Sequence, residues 1–191
     1  MSIKPDWIVL DRDGVINQDS DAYIKTVDEW QPIEGSLEAI ARLTKAGIKV
    51  AVATNQSGIG RGYYTEQTLH DMHSKMSTLL TPLGGKVNLI VYCPHEPSIG
   101  CDCRKPADGL IRQIEAVAGD LAGTWMIGDS LRDLEAGLSR GLTPVLVKTG
   151  KGAQTSAKKL PEGTLVFADL ATAVDDFLER LGLSTECESQ P

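Results

Sequence analysis

The sequence predicts an α/β fold, a three-layer Rossmann-like sandwich whose mainly parallel sheet carries helices on both faces. Three observations carry this prediction. Short apolar runs alternate with amphipathic segments almost throughout the chain. Runs such as Val50-Ala51-Val52-Ala53 are apolar at consecutive positions, as strands covered on both faces must be. Strands and helices that alternate in this way close most simply into a parallel sheet.

The first strand, Trp7–Leu10, is an unbroken apolar run that stops at Asp11-Arg12-Asp13-Gly14. Further apolar runs predict strands over 48–54, 87–93, 124–127, 144–147 and 164–167. Amphipathic patterns between them predict helices over Ser36–Lys45, Glu66–Leu80, Gly109–Ala118, 131–140 and 170–181. Two connections exceed what a crossover needs, 17–33 after the first strand and 94–107 after the third. Long loops at a sheet edge are usually functional or disordered. The stretch 149–163, rich in Gly, Lys, Ser and Thr, is read as mobile.

A length of 191 residues fits one domain, placed over 1–183, with the polar segment 184–191 read as a disordered tail. A net charge of −7 argues against a nucleic-acid partner, which would want a basic face. No stretch approaches the roughly 20 apolar residues that span a bilayer, and no signal-peptide core precedes the first strand. The expectation is a cytoplasmic protein acting on a small molecule, without membrane attachment. A monomer is expected, because no long apolar stripe is left over.

The strand ends carry the chemistry. Open α/β folds place ligands at the carboxyl edge of the sheet. The first strand delivers Asp11 and Asp13 there, the second Thr54 and Asn55, and the fourth Gly128-Asp129-Ser130, with Asp133 close behind. The loop after the third strand adds Arg104 and Lys105. Carboxylates, a hydroxyl, an amide and a lysine on one edge are an inventory for handling a phosphate through Mg²⁺. An Asp beside Mg²⁺ stays ionised and nucleophilic, while a second Asp turned away from the metal can carry a proton. Asp-Gly alone is a common turn; the agreement of the other strand ends argues against that reading here.

These residues resemble the haloacid dehalogenase-like phosphatases, whose motifs are D-x-D, a Ser or Thr after the second strand, a Lys, and G-D-x-x-x-D. All four stand here in order, as Asp11-Arg12-Asp13, Thr54, Lys105 and Gly128-Asp129 to Asp133. The resemblance implies that Asp11 is the nucleophile and forms an aspartyl-phosphate, and that Asp13 is the acid and base. It implies Mg²⁺ held by the Asp11 carboxylate, the Asp13 main-chain carbonyl and Asp129. Thr54 and Lys105 would bind the transferring phosphoryl group, and Asp133 would orient Lys105 or a metal-bound water.

Cys93-Pro94-His95 is followed by Cys101-Asp102-Cys103. Three thiolates and one imidazole complete a tetrahedral Zn²⁺ site of the structural kind. Lys105 follows the last ligand by two residues, so the zinc is expected to order the loop and place Arg104 and Lys105.

The C-P-H…C-D-C-R-K-P pattern narrows the resemblance to the branch holding heptose 1,7-bisphosphate phosphatases and histidinol-phosphate phosphatases. The loop Thr54-Asn55-Gln56-Ser57-Gly58-Ile59-Gly60-Arg61-Gly62 is similar to the heptose side, since the histidinol side has an acid where Ser57 stands. A bisphosphate wants cations, which Arg61 and Arg104 would supply, with Asn55, Gln56, Ser57 and Ser130 as neutral contacts. Asp19 and Tyr23 fall in what looks like a heptose substrate loop. The expected reaction is removal of the 7-phosphate of D-glycero-D-manno-heptose 1,7-bisphosphate, a step toward the heptose donor of lipopolysaccharide core. Two features depart from the heptose pattern: the spacer between His95 and Cys101 is short, as on the histidinol side, and Ser130 stands where some heptose enzymes carry Lys, leaving Arg132 as the candidate substitute. A non-catalytic sugar-phosphate scaffold is the alternative outside enzymes. Short gaps between motifs suggest small loop caps. His70 and His73 are read as surface or partly buried positions of one helix.

Overall fold

The computed structural model describes residues 5–183. The predicted tail at 184–191 lies outside the described residues.

Strands β1 (Trp7–Leu10), β2 (Lys49–Asn55), β3 (Leu89–Cys93), β4 (Trp125–Gly128), β5 (Thr143–Val147) and β6 (Leu165–Phe167) form one sheet in the order β3-β2-β1-β4-β5-β6. All of its pairings are parallel, beyond the mainly parallel sheet expected. Helices α1 (Ser36–Lys45), α2 (Glu66–Leu80), α3 (Gly109–Ala118), α4 (Leu131–Leu138), α5 (Gly152–Ser156) and α6 (Leu170–Arg180) complete the layers.

Every residue of β1 is buried because both of its faces are covered. Ile8 and Leu10 join the apolar residues of α1, α2 and α6. Trp7 and Val9 join Leu110, Ile111 and Ile114 of α3 on the other face. Helix α2 buries Leu69, Met72, Met76 and Leu80, spaced to form one stripe, and begins where the Thr65 hydroxyl accepts from the Thr68 N–H.

Three departures from the sequence reading have local causes. β3 starts at Leu89 rather than 87, because the Asn88 side chain takes the Val50 N–H that a strand residue would have met through its main chain. α4 stops at Leu138, where Ser139 turns its hydroxyl back onto the Ala136 carbonyl. The stretch read as mobile contains α5, and its entrance is tied down: Thr149 donates to the Gly14 carbonyl and the Lys151 N–H donates to Asp129.

Candidate active site at the carboxyl edge

The chain builds outward from β1 through β2 to β3, then crosses to β4 and builds the other way. This places a switch point between β1 and β4, where a crevice opens at the carboxyl ends. Asp11 follows β1 and donates its N–H to the Ile127 carbonyl of β4 at 2.8 Å. Asp129 follows β4, and Asp133 sits in the first turn of α4. One carboxylate oxygen from each of Asp11, Asp129 and Asp133 lies within 4.8 Å of the others.

Lys105 enters this cluster from the loop after β3. Its ammonium is 3.0 Å from Asp11 Oδ1 and 2.6 Å from Asp133 Oδ1, and it donates to the Ala53 carbonyl at 2.7 Å. Asn55, the last residue of β2, fastens the Lys105 main chain in both directions, at 3.0 and 3.1 Å. Asp133 Oδ2 accepts from the Ser130 N–H and hydroxyl at 3.0 and 2.7 Å. Asp129 Oδ2 is closed in by glycines. A Cβ on Gly14 would stand 2.1 Å from it, and one on Gly150 would stand 2.3 Å away. Gly14 also has φ near +79°, which side chains rarely adopt.

Three carboxylates here face one ammonium. Burial and Asp133 push the Asp11 carboxyl well above its ordinary value, with Lys105 pulling the other way. Burial and Asp133 also push Asp129 up to about 7, opposed by the Lys151 N–H. Burial works against Asp133 as well, but Lys105 outweighs it and holds that carboxyl low. The cluster is short of positive charge and rich in hard oxygen donors, which fits a divalent cation such as Mg²⁺.

Asp13 is gripped separately. Its Oδ1 accepts from Arg12 Nε at 3.2 Å, from an Arg12 terminal nitrogen at 2.8 Å and from Asn17 at 2.9 Å. Its Oδ2 accepts from Gln56 at 2.8 Å. Burial raises the Asp13 pKa, yet the Arg12 charge and these donors outweigh it and hold the carboxyl below its usual value. Gln56 also donates to Thr54 Oγ1 at 2.8 Å and accepts from the Tyr64 hydroxyl at 2.5 Å. Both amide hydrogens are thus committed to Asp13 and Thr54, and the Thr54 hydroxyl keeps its own hydrogen to donate.

A cleft of about 200 Å³ opens over these groups. Asp19, Tyr23, Asn55, Gln56, Ser57, Arg104 and Ser130 all line it, while Thr54 is buried beneath. Arg61 does not line it. Expected from the sequence to supply a cation to the bisphosphate, it pairs with Glu96 of the loop after β3 at 3.4 Å. The structure adds Tyr64 and Lys151 to the lining, and Arg132, the candidate substitute for a lysine at 130, lines it too. Lys151 pairs with Asp19 and Asp21 at 3.5 and 3.1 Å. Its only advance signal was a glycine-rich turn after a predicted strand end.

Beside the cleft, the ligand atoms of Cys93, His95, Cys101 and Cys103 gather within 4.8 Å of one another. Neighbouring separations run from 3.3 Å for His95 Nδ1 to Cys103 Sγ up to 3.6 Å for Cys93 Sγ to Cys101 Sγ. A tetrahedron with metal bonds of about 2.0–2.3 Å has edges of roughly 3.3–3.8 Å. The cluster fits Zn²⁺.

Comparison with known proteins agrees with this geometry. The family model described as polynucleotide kinase 3 phosphatase matches residues 8–129, and the HAD-hydrolase-like model matches residues 102–173. A D-glycero-beta-D-manno-heptose-1,7-bisphosphate 7-phosphatase of Pseudomonas aeruginosa is 60% identical over 173 residues, covering 90% of this chain and 97% of that protein. This chain belongs to the haloacid dehalogenase-like phosphatases. Another similar phosphatase is the Neisseria meningitidis protein of the same name, 54% identical over 85% of this chain and 89% of its own length. The phosphatase fold also superposes on the D,D-heptose 1,7-bisphosphate phosphatase of B. bronchiseptica, crystallised with magnesium and phosphate. That match has a TM-score of 0.89 at 51% identity, over 91% of this chain and 98% of the other. Among the described residues of this phosphatase, no helix is long and apolar enough to cross a membrane.

Proposed function

We propose that this chain hydrolyses the 7-phosphate of D-glycero-D-manno-heptose 1,7-bisphosphate through a transient aspartyl-phosphate on Asp11. The carrying observation is the Asp11 carboxylate at the switch point, 3.0 Å from the Lys105 ammonium and clustered with Asp129 and Asp133. Asp11, the Asp13 main-chain carbonyl and Asp129 would hold Mg²⁺, which when bound offsets the crowded carboxylates and draws charge from phosphoryl oxygens.

Asp11 attacks phosphorus, and Asp13 gives a proton to the departing sugar oxygen. Water then attacks the aspartyl-phosphate while Asp13 takes its proton, and phosphate leaves with Asp11 restored. The low pKa of Asp13 suits the second half directly. In the first half the substrate enters as its monoanion, the second pKa of a phosphate monoester being about 6, and Asp13 relays that proton from the phosphoryl oxygen to the sugar oxygen as the bond to phosphorus breaks, so Asp13 need not rest protonated. Lys105 and the Thr54 hydroxyl meet the phosphoryl oxygens, and Asp133 holds Lys105 in place.

The names of the similar proteins support the heptose substrate, and so does the lining. Arg104 and Arg132 share the cleft; burial first and Arg132 second lower the Arg104 pKa. Two neighbouring guanidiniums suit the second, non-reacting phosphate, whereas the ammonium and imidazole of histidinol phosphate would be repelled. The product would feed the heptose donor of lipopolysaccharide core. A cytoplasmic monomer accords with a soluble, charged substrate.

Phosphate release with Mg²⁺ tests this. Heptose 1,7-bisphosphate should exceed histidinol phosphate by about 10⁴-fold in kcat/KM, the rejection typical of a polar site whose groups are left unpaired. Asp11→Asn should lower turnover by about 10³-fold or more, as removal of a nucleophile does. Turnover untouched by that change ends the phosphatase mechanism; preference for histidinol phosphate ends the substrate assignment.

A further inference from the structure

Arg12 lies between the two strand-end acids and is fully buried. A buried guanidinium has five N–H groups to place. Nε and one terminal nitrogen spend theirs on Asp13 Oδ1, at 3.2 and 2.8 Å. The other terminal nitrogen turns away from the cleft toward α2, where His73 Nε2 stands at 3.4 Å and the Met72 sulfur at 3.8 Å. Among the described residues the imidazole is the only nitrogen or oxygen acceptor recorded for that nitrogen, since a thioether accepts only weakly.

We propose that His73 is a positioning residue for Asp13, acting through Arg12: the imidazole fixes the plane of the guanidinium, and that plane fixes Asp13 Oδ1. The inference rests on the reading of Asp13 as the proton carrier. It joins two elements far apart in sequence, the end of β1 and the middle of α2. Asn17 braces the same Asp13 oxygen and Gln56 the other, so the carboxylate is held from three sides and the His73 arm is the one anchored in a helix.

The charge state suits the role. Burial, then the Arg12 charge, then His70 push the His73 pKa down to about 3. The ring is therefore a neutral acceptor, with its proton assigned to Nδ1 because a donor faces Nε2. Phe or Leu would fill the space but accept nothing. The guanidinium would then be free to rotate and carry the Asp13 oxygen with it. Misplacement of a catalytic group by about 1 Å can cost up to about 10²-fold.

The test compares kcat/KM for wild type, His73→Leu, His73→Gln and Asp13→Asn on heptose 1,7-bisphosphate and on p-nitrophenyl phosphate. This parameter covers events up to phosphoryl transfer to Asp11. The nitrophenolate departs without a proton, so a misplaced acid shows only on the sugar ester. His73→Leu should lower the sugar reaction about tenfold and the aryl reaction less than about twofold. His73→Gln, a neutral acceptor of similar reach, should recover the sugar reaction to within about threefold. Equal losses on the two esters, no loss at all, or a Gln variant no better than Leu would overturn the proposal. If Asp13→Asn itself fails to separate the two esters, Asp13 is not the acid and the underlying mechanism falls, a result distinguishable from failure of His73 alone. Melting curves accompany each variant, and His73→Met replaces His73→Leu should the latter not fold.

Discussion

Asp11, Asp129 and Asp133 are brought together by the ends of buried strands and the first turn of a helix, whereas His95, Cys101 and Cys103 come to Cys93, the buried last residue of β3, from a loop that lies at the edge of the core. Asp129 and Asp133 are 4% and 1% exposed, and the β1–β4 pairing fixes their approach whether or not a cation is present. In the second region no residue from Pro94 to Arg104 is buried, yet the next residue, Lys105, is 1% exposed and central to the cleft. The fold therefore assembles the first site, while the second site holds the loop that leads into Lys105. A structural metal supplies what packing does not.

The largest effect should come from the loop. If the metal holds it, stripping zinc or making Cys101→Ser should lower phosphate release by about 10–100-fold, the range for disturbed metal sites. Added Mg²⁺ should not restore it, and far-ultraviolet circular dichroism should change little because the sheet does not depend on the loop. Removing and replacing Mg²⁺ alone should be fully reversible. Full activity in a zinc-free sample would erase the distinction and leave the bonds of Lys105 to Asn55 and Ala53 as anchors sufficient without the metal.

A smaller effect should distinguish the acid cluster. Asp129 has its pKa pushed up to about 7 by burial and Asp133, and Asp11 moves in the same direction. A carboxyl whose folded pKa lies above its unfolded value favours the folded state when protonated, so this contribution is lost as pH rises toward 7. Asp13 and Asp133 shift downward, and their contribution changes only below the ordinary carboxylate range. Between pH 5 and pH 7.5 the Mg²⁺-free protein should therefore lose thermal stability, by a few degrees at roughly 2–4 °C per kcal/mol. The rise in Tm on adding Mg²⁺ should grow over the same interval, because protons and cation compete for the same oxygens. A Tm gain independent of pH would mean that the cation does not bind these acids.

How much of each region could be read in advance follows from the same contrast. Asp11, Asp129 and the zinc ligands announce themselves locally, as charge at the end of an apolar run or as paired Cys and His, so their positions needed no tertiary information. Arg12, Asn17, Tyr64 and His73 do not. Each is ordinary in its own segment: Asn17 and Tyr64 reach partners only four and eight residues away, but through turns whose geometry spacing does not give, and Arg12 meets His73 across 61 residues. His73 shares a helix with surface residues, and only the packing of α2 beside the end of β1 turns it toward Arg12. α5 was missed because five residues of Gly, Ala, Gln, Thr and Ser carry no helical periodicity.

Arg61 should show the smallest effect, and it separates the two regions most sharply. From the sequence it is a cation beside a phosphate-handling loop, and as a substrate contact its loss would raise KM more than about tenfold, the penalty for removing one charged partner. The structure instead pairs it with Glu96 across two loops, both side chains about a third exposed at 34% and 32%. Such a pair contributes about 0–1 kcal/mol. It also duplicates a connection made by the Gly60 N–H, which donates to the Pro94 carbonyl at 3.0 Å. Arg61→Ala should therefore leave both kcat and KM within about twofold of wild type while zinc is bound. The same substitution in zinc-depleted protein should matter more, since the ion pair is then one of the few ties left on the loop. A large KM effect in the zinc-loaded enzyme would instead place Arg61 over the substrate, with the Glu96 pairing opening when the sugar phosphate arrives.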